Sequence, residues 1–182
     1  IYDPQKCYAN YLDYLKQIKQ ADTYKANLKN LNEKYNIDFS EFFLSLLSDE
    51  LTLAYNSSDK SAAESYYIVL KCKSRTEAEK ALQNLTTKIE GETNSTLSFT
   101  YSPDNEIKYK IFKIPIYPLF GRLIGDFFNR FEENYFTVVD NFIVVAGSQA
   151  DISHVIKSYM LQKTLYNDAV YKNFRSNLAP DS

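Results

Sequence analysis

The sequence is poor in the residues on which most catalytic and cofactor-binding motifs depend. Its 182 residues include no tryptophan, one histidine, two cysteines and only four glycines. No glycine-rich phosphate loop occurs, which excludes the P-loop and dinucleotide-binding motifs. A hydrolytic triad would have to use His154 and would need a nucleophile on a GxSxG-like turn, which is also missing. The sequence therefore shows no catalytic signature, leaves any catalytic residues unknown and predicts no cofactor.

The metal-binding residue types are also badly spaced for a metal site. Cys7, Cys72 and His154 do not have zinc-type spacing and would need a further ligand. The polar run at residues 104–106 lacks the spacing of a calcium-binding loop. No metal site is predicted.

Two pairs of adjacent carboxylates, Asp49-Glu50 and Glu132-Glu133, are the remaining candidates for acid–base chemistry. Side chains that are neighbours in sequence point in different directions on a strand or a helix, so adjacency alone does not make an acid–base pair. We expect both pairs to lie at solvated ends of secondary-structure elements.

Cys7 and Cys72 allow two interpretations. In an oxidising compartment they could form a disulfide, and closing so long a loop would contribute about 4 kcal/mol in the chain-entropy model. The alternative is two unpaired thiols. Cys7 also lacks the small and apolar residues that precede a lipid-attachment cysteine.

The overall composition is that of a globular domain with no marked charge. The net charge is -2, and the lysines are scattered along the chain rather than grouped, so no nucleic-acid partner is predicted. The 16 tyrosines and 12 phenylalanines are explained by core packing, with an aromatic binding surface as the alternative. The chain begins at Ile1 and ends in Asn-Leu-Ala-Pro-Asp-Ser, from which we expect a segment of a longer protein. The sequence contains no signal peptide or membrane span.

The stretch Tyr135–Met160 shows the organisation of the chain most clearly. Two β-rich runs, Tyr135–Val139 and Phe142–Ala146, flank Asp140-Asn141, which predicts a hairpin with a two-residue turn. Ser148 then predicts a helix N-cap, and the following apolar residues recur on one helical face. This is a strand–strand–helix unit.

Two looser units of the same kind are predicted upstream. The first has strands at Leu51–Tyr55 and Tyr66–Lys73, then a helix capped by Ser74 that ends at Gly91. The second has strands at Thr96–Tyr101 and Glu106–Ile116, then a helix over Pro118–Phe131.

The remaining segments are predicted to be helical. Amphipathic patterns indicate helices over Lys6–Gln20 and from Tyr24 to Asn36, a short helix over Phe39–Leu47 capped by Asp38, and a last helix over Asp168–Leu178. We predict an N-terminal helical segment (residues 1–36) and an α+β domain (residues 37–182). The domain should have a mostly antiparallel sheet with its helices largely on one face. Whether the N-terminal helices pack on the sheet is left open.

The runs FEENYFTVVDNFIVVAGSQADISHVIKSYMLQKTLYNDAVYKNF and IPIYPLFGRLIGDFF resemble an uncharacterised family of extracytoplasmic proteins from Gram-negative gut bacteria, a domain of unknown function. The resemblance covers about Asp38 to Leu178. It is carried by Leu119-Phe120-Gly121, Thr164-Leu165, Asn167-Asp168, Tyr171 and Phe174. It implies export, membrane anchoring upstream and further domains downstream, and it implies no reaction.

These observations favour a non-enzymatic extracytoplasmic domain with a binding, assembly or scaffolding role at the cell envelope. Its partner, a protein or a glycan, is unknown, and the segment itself should not insert into a membrane. One alternative is a hydrolase or lyase whose carboxylates or tyrosines come together only on folding; it predicts a pocket with two carboxylates, or with a carboxylate beside a tyrosine. Another is a domain that binds glycans or hydrophobic ligands through exposed tyrosines.

Overall fold

The computed structural model describes residues 3–56, 65–104, 106–125, 128–129, 135–163, 167, 169 and 172–173. The helices within these residues are α1 (Pro4–Gln17), α2 (Ala21–Tyr35), α3 (Phe39–Leu46), α4 (Arg75–Thr93), α5 (Leu119–Ile124) and α6 (Gln149–Met160). The strands are β1 (Leu47–Asn56), β2 (Ser65–Cys72), β3 (Ser98–Tyr101), β4 (Tyr109–Lys113), β5 (Tyr135–Val139) and β6 (Phe142–Ala146). The predicted last helix, Asp168–Leu178, and the pair Glu132-Glu133 lie outside the fully described residues.

The strands form one sheet in the order β1-β2-β6-β5-β4-β3, and all neighbouring strands are antiparallel. Each hairpin is formed by consecutive strands, and β6 lies between its own hairpin partner β5 and the distant β2. The turn of the β5–β6 hairpin falls at Asp140-Asn141, where Asp140 takes a positive φ of 52°. The predicted α+β class with a mostly antiparallel sheet is confirmed.

The two faces of the sheet carry different helices. Side chains alternate along each strand, so that Ile68 and Leu70 point to one face and Tyr67 and Val69 to the other. Helices α2, α3, α4 and α5 pack on the first face, which we call the near face. Helix α6 packs on the opposite face, which we call the far face. The prediction that the helices lie largely on one face is confirmed.

The near face carries the larger core. Three phenylalanine rings meet at its centre: the ring of Phe43 lies 5.3 Å from that of Phe120 and 6.2 Å from that of Phe136, centroid to centroid. Helix α4 adds four fully or almost fully buried side chains, Ala78, Leu82, Leu85 and Ile89. Burial of this apolar surface is the main stabilising contribution to the fold.

The N-terminal helices pack against the rest of the chain. Leu28, Leu31 and Tyr35 of α2 belong to the same core as the near face of the sheet. Helix α1 contacts α2 and β1, and the Asp3 amide donates to the Asp49 carbonyl at 2.8 Å. The division of the chain at residue 36 stays a prediction.

The helix N-caps that the sequence predicts are present. Side-chain oxygens of Asp38, Ser74 and Ser148 accept hydrogen bonds from the backbone amides of Glu41, Glu77 and Asp151, respectively. Each bond satisfies one of the amides that a helix start leaves without an intrahelical partner.

The predicted helix end at Gly91 is wrong. Helix α4 continues to Thr93, and Asn94 takes the left-handed conformation with φ 49°. Asparagine tolerates this conformation better than most residues, and Gly91 is accommodated inside the helix.

The predicted helix over Pro118–Phe131 is also too long. Helix α5 ends at Ile124 because Gly125 has φ 114° and ψ 164°, which no helix can continue through. Residues 126, 127, 130 and 131 lie outside the described part of the chain.

Strand β1 is longer than predicted, and strand β4 is shorter. Strand β1 begins at Leu47 rather than Leu51, because an irregularity in its pairing with β2 between these two residues hides the alternation. Strand β4 is only five residues long, and it ends at Lys113, two residues before Pro115.

Candidate functional site

A groove runs along the far face beside α6. Its floor is formed by apolar side chains of three neighbouring strands, and its wall is one side of α6. It has a volume of about 460 Å³. The lining residues are Tyr67, Val69, Val139, Asp140, Phe142, Val144, His154, Val155, Ser158, Tyr159 and Lys163.

Among the described helices, α6 alone packs on the far face of the six-stranded sheet, and the groove lies beside it. Ile152 and Ile156 anchor α6 on the sheet and are completely buried. Strand β1 lies beyond β2 at the edge of the sheet, and on the far face its Thr52 and Ala54 are exposed. Among the described residues between α6 and this edge, Val69 and Phe142 remain half-buried, whereas Tyr67, Val139 and Val144 are buried.

The polar groups of the groove lie mainly on its rim. Asp140 at the β5–β6 turn and Lys163 just after α6 supply charges of both signs, and His154 is exposed on the helix wall. The lone histidine therefore lines a concave site.

A tyrosine and a carboxylate lie close together where α6 begins. The hydroxyl of Ser65 donates to Asp151 Oδ1 at 2.8 Å, and the hydroxyl of Ser148 donates to Asp151 Oδ2 at 2.6 Å. Burial and the negative charge of Asp151 raise the pKa of Tyr67, and a hydrogen bond with Ser65 partly opposes this shift. Tyr67 lines the groove but Asp151 does not, and the two are connected through Ser65 and by charge rather than by a direct hydrogen bond.

Hydrogen bonds to Asp151 limit the chemistry that Tyr67 and Asp151 could carry out. Both oxygens of Asp151 accept from hydroxyl groups, which leaves the carboxylate poorly placed to take a proton from a substrate. A tyrosine is already protonated at neutral pH and burial raises the pKa of Tyr67 further, so it can donate a hydrogen bond but does not act as a base. The hydrogen bonds from Ser65 and Ser148 to Asp151 link the start of β2 to the start of α6.

A second, polar cleft of about 400 Å³ lies between α2 and α5. One wall carries three polar residues of the α1–α2 region, and the other carries Arg122. It is lined by Tyr11, Leu15, Gln20, Thr23, Tyr24, Asn27, Pro118, Gly121, Arg122 and Asn129.

Tyrosine side chains make the floor of this cleft rigid. The hydroxyl of Tyr24 donates to the Leu123 carbonyl at 2.9 Å and lies 3.0 Å from the hydroxyl of Tyr8. The Tyr11 and Tyr24 rings meet edge to face at 5.8 Å. Burial, followed by the hydrogen bond with Tyr8, raises the pKa of Tyr24 well above its usual value.

Gly121 within α5 and Gly125 at its C-terminal end leave space for side chains that line the cleft. A Cβ on Gly121 would lie 1.7 Å from Asn129 Oδ1, and a Cβ on Gly125 would lie 3.0 Å from the Tyr11 ring. The glycine of the Leu119-Phe120-Gly121 sequence therefore accommodates the Asn129 side chain.

Both cysteines are unpaired. Cys7 is exposed and Cys72 is buried, so the interpretation as two free thiols is confirmed and the disulfide alternative is wrong. Burial raises the pKa of the Cys72 thiol. Cys7 lies at a small apolar pocket between α1, α3 and α5, of about 70 Å³.

Among the described residues, the strongly exposed tyrosines are not gathered on one face, whereas three coplanar exposed rings would favour the glycan alternative. Tyr55 and Tyr66 lie opposite each other on the β1–β2 hairpin, with ring centroids 4.9 Å apart and an angle of 36° between the planes. The other strongly exposed rings among the described residues, Tyr14, Tyr117 and Tyr159, belong to separate elements.

The residues that the sequence singles out are only partly brought together. His154 lines the groove and Asp151 lies in the first turn of α6, but Asp49 forms an ion pair with Lys71 at 3.0 Å. Within the described ranges, no three side chains of His, Cys, Asp or Glu are grouped so that they could hold a metal ion. No described helix has both the length and the apolar character that crossing a membrane requires.

Sequence reasoning did not identify Tyr67 or Arg122. Tyr67 belongs to an alternating strand, but its electrostatic interaction with Asp151 depends on how α6 crosses the sheet. Arg122 follows the Leu119-Phe120-Gly121 sequence, and nothing local shows that it would face α2.

A family model described as "Protein of unknown function (DUF3352)" matches residues 10–182. No curated protein and no solved structure matches the chain.

Proposed function

We propose, from the premise that this chain belongs to the DUF3352 family of proteins of unknown function, that it is a non-enzymatic binding domain. In this proposal the groove on the far face takes up an apolar segment of a partner polypeptide, and the domain acts in binding, assembly or scaffolding at the cell envelope.

The observation that carries the proposal is an open groove whose floor is apolar. Val69, Val139 and Val144 come from three different strands; Val69 is half-buried, whereas Val139 and Val144 are almost fully buried beneath the groove. Apolar surfaces with a polar rim are typical of interaction sites. The groove also has the concave shape and the volume of a ligand site.

The rim favours a polypeptide over an acyl chain as the occupant. Asp140 and Lys163 place opposite charges at the groove, and His154 and Ser158 offer further hydrogen-bonding groups. A peptide combines apolar side chains for the floor with amides and charged groups for this rim, whereas an acyl chain would leave the polar rim without partners.

Peptide selection with paired groove variants tests the proposal. A phage-displayed library of random peptides is selected on the folded domain, and the best peptides are synthesised and measured by calorimetry. We expect sequences rich in apolar residues. Ser158→Trp, which fills the groove, should weaken their binding about tenfold or more.

Ser153→Trp is the matched control, because Ser153 lies on α6 but does not line the groove. It should leave the affinity within about twofold, a change that amounts to only a few tenths of a kcal/mol. Selected peptides that bind both tryptophan variants like the native domain would contradict the groove as the binding site.

We also propose that the domain is extracytoplasmic, which the resemblance in sequence supports. The exposed Cys7 and the buried Cys72 supply a test. In spheroplasts of a bacterium that produces the full-length protein from its own gene, a maleimide that cannot cross the inner membrane should label Cys7. Protection of Cys7 until the cells are lysed would contradict this location.

The second candidate function is a hydrolase or lyase, which the Tyr67–Ser65–Asp151 arrangement favours. It predicts turnover of an ester, peptide or glycan substrate that Tyr67→Phe abolishes without lowering the melting temperature. Turnover that survives both Tyr67→Phe and Asp151→Asn would remove the basis for this alternative.

A further inference from the structure

The polar cleft between α2 and α5 is a second candidate site, independent of the far-face groove. None of the described residues that line it comes from α6, β2 or β6. Its wall includes Arg122, next to the Leu119-Phe120-Gly121 sequence through which the chain resembles its family.

Among the described residues that line the cleft, Arg122 is the one charged side chain. Arg122 is exposed, and no ion pair joins it to a described carboxylate. The described lining contains no Asp, Glu or Lys. A guanidinium group is always charged and presents a planar set of donors that matches a carboxylate in a two-point hydrogen bond.

The other polar groups of the cleft suit hydroxyl groups. Gln20, Thr23 and Asn27 follow one another at three- and four-residue spacing, which places them on one side of α2 and its N-cap. Asn129 faces them from beyond α5. Amide side chains both donate and accept hydrogen bonds, as sugar hydroxyls also do.

The floor supplies a preorganised apolar surface. Tyr11 and Tyr24 hold each other edge to face, and the Tyr24 hydroxyl is fixed by the Leu123 carbonyl. Preorganised side chains reduce the entropy that ligand binding costs. Tyrosine rings also present an apolar face against which a sugar ring can pack.

From these features we infer that the cleft binds an acidic sugar of the uronic-acid type. The ligand's carboxylate pairs with Arg122, its hydroxyl groups bond to the amide side chains of both walls, and its ring lies on the tyrosine floor. This site requires no covalent step and does not depend on a peptide in the far-face groove.

Titration of the ¹⁵N-labelled domain with D-glucuronate tests the inference. The backbone amides of Thr23, Asn27 and Arg122 should shift in a saturable manner. Arg122→Gln should weaken glucuronate binding about tenfold or more. Arg122→Lys keeps the charge but loses the two-point geometry, so its affinity should lie between those of the native domain and Arg122→Gln. Arg75→Gln is the matched control, because Arg75 pairs with Glu79 and does not line the cleft.

Two further ligands test the contribution of the carboxylate and that of the sugar ring separately. D-glucose, which has the hydroxyl groups but no carboxylate, should bind more weakly than glucuronate. Acetate that binds as tightly as glucuronate would overturn the sugar assignment. Shifts that are unsaturable, or that persist unchanged in Arg122→Gln with an unchanged melting temperature, would overturn the site. Ser158→Trp should leave glucuronate binding unaltered, so failure at either site is recognised separately.

Discussion

Gly91 and Gly125 stand in opposite environments, although both are simply glycines in the sequence. Gly91 lies inside α4, and a Cβ added there would meet no atom within 4 Å, whereas Gly125 has φ 114° and lies against Tyr11. Gly91→Ala should raise the free energy of unfolding by about 0.5–1 kcal/mol, because alanine favours the helix. Gly125→Ala should lower it by about 1–3 kcal/mol, because this conformation is nearly restricted to glycine.

Urea denaturation of the two variants beside the native domain measures this difference. Equal effects of the same sign would show that Gly91 is not helical or that Gly125 does not have a positive φ.

The N-cap of α3 should make part of the stability depend on pH. Hydrogen bonds from the Glu41 amide and from Ser40 lower the pKa of Asp38, although partial burial opposes this. A carboxyl with a lowered pKa in the folded state stabilises above its unfolded value of about 3.9, and this stabilisation is lost as the pH falls through the folded-state pKa.

Asp38→Ala should therefore cost about 1 kcal/mol at pH 7. The cost should shrink as the pH is lowered below about 4, where the native side chain also becomes neutral. Asp38→Asn keeps a capping oxygen without the charge and serves as the control: it should cost less than Asp38→Ala, and because it removes the same titrating group, its cost should fall by the same amount on acidification. A cost for Asp38→Ala that grows on acidification would contradict the assigned cap.

Residues whose role is local could be predicted from the sequence, and those whose role depends on distant partners could not. Ser74 and Ser148 were identified as caps because the capping hydrogen bond spans only three residues. The electrostatic interaction of Tyr67 with Asp151 involves residues far apart in the chain, and no local pattern encodes it. Arg122 was missed for the same reason.

Helix α6 stabilises the far face almost alone among the described helices. Its two completely buried residues, Ile152 and Ile156, connect it to the sheet. Ile156→Ala should lower the free energy of unfolding by about 2–5 kcal/mol, as large-to-small substitutions in a core do. Ser153→Ala, on the same helix, should change it by less than about 0.5 kcal/mol.

Chemical denaturation followed by circular dichroism gives both values. A small effect of Ile156→Ala, similar to that of Ser153→Ala, would show that α6 is not anchored on the sheet and that the groove wall is not fixed.

Elements with a regular hydrophobic pattern could be predicted from the sequence. Their lengths and the order of the strands in the sheet were harder to predict. Strands β5 and β6 have the predicted bounds because two uninterrupted β-rich runs flank a turn. Helix α5 is shorter than its apolar pattern suggests, because the backbone conformation of Gly125 overrides the periodicity. The insertion of β6 between β2 and β5 is a tertiary arrangement that hairpin signals do not specify.

For the whole molecule, the two thiols should report on exposure and on unfolding separately. In the folded domain Cys7 should react rapidly with a thiol reagent such as Ellman's reagent, because it is exposed. Cys72 is buried and the pKa of its thiol is raised by burial, so it should react only when the fold opens.

The Cys7→Ser variant isolates the reaction of Cys72, and its rate in increasing urea should follow the unfolding curve. Rapid labelling of Cys72 in native buffer would contradict the packing of β2 against the near-face core.

The fold class of the whole molecule followed from the repeated strand–strand–helix pattern, but its concave sites did not. The groove results from the position of one helix on a wide sheet, and the cleft results from α2 packing beside α5. Both depend on packing between elements that are distant in sequence. The sequence alone could not decide whether the N-terminal helices pack on the domain, and in the structure α2 shares its core.

The most direct test of the proposed binding role is an amide chemical-shift map of the domain with the tightest selected peptide. The largest shifts should fall on Val69, Val144 and Ser158, which come from two strands and one helix and meet only in the groove. Shifts centred on the β1 edge, on the α2–α5 cleft or on no continuous surface would contradict the proposal.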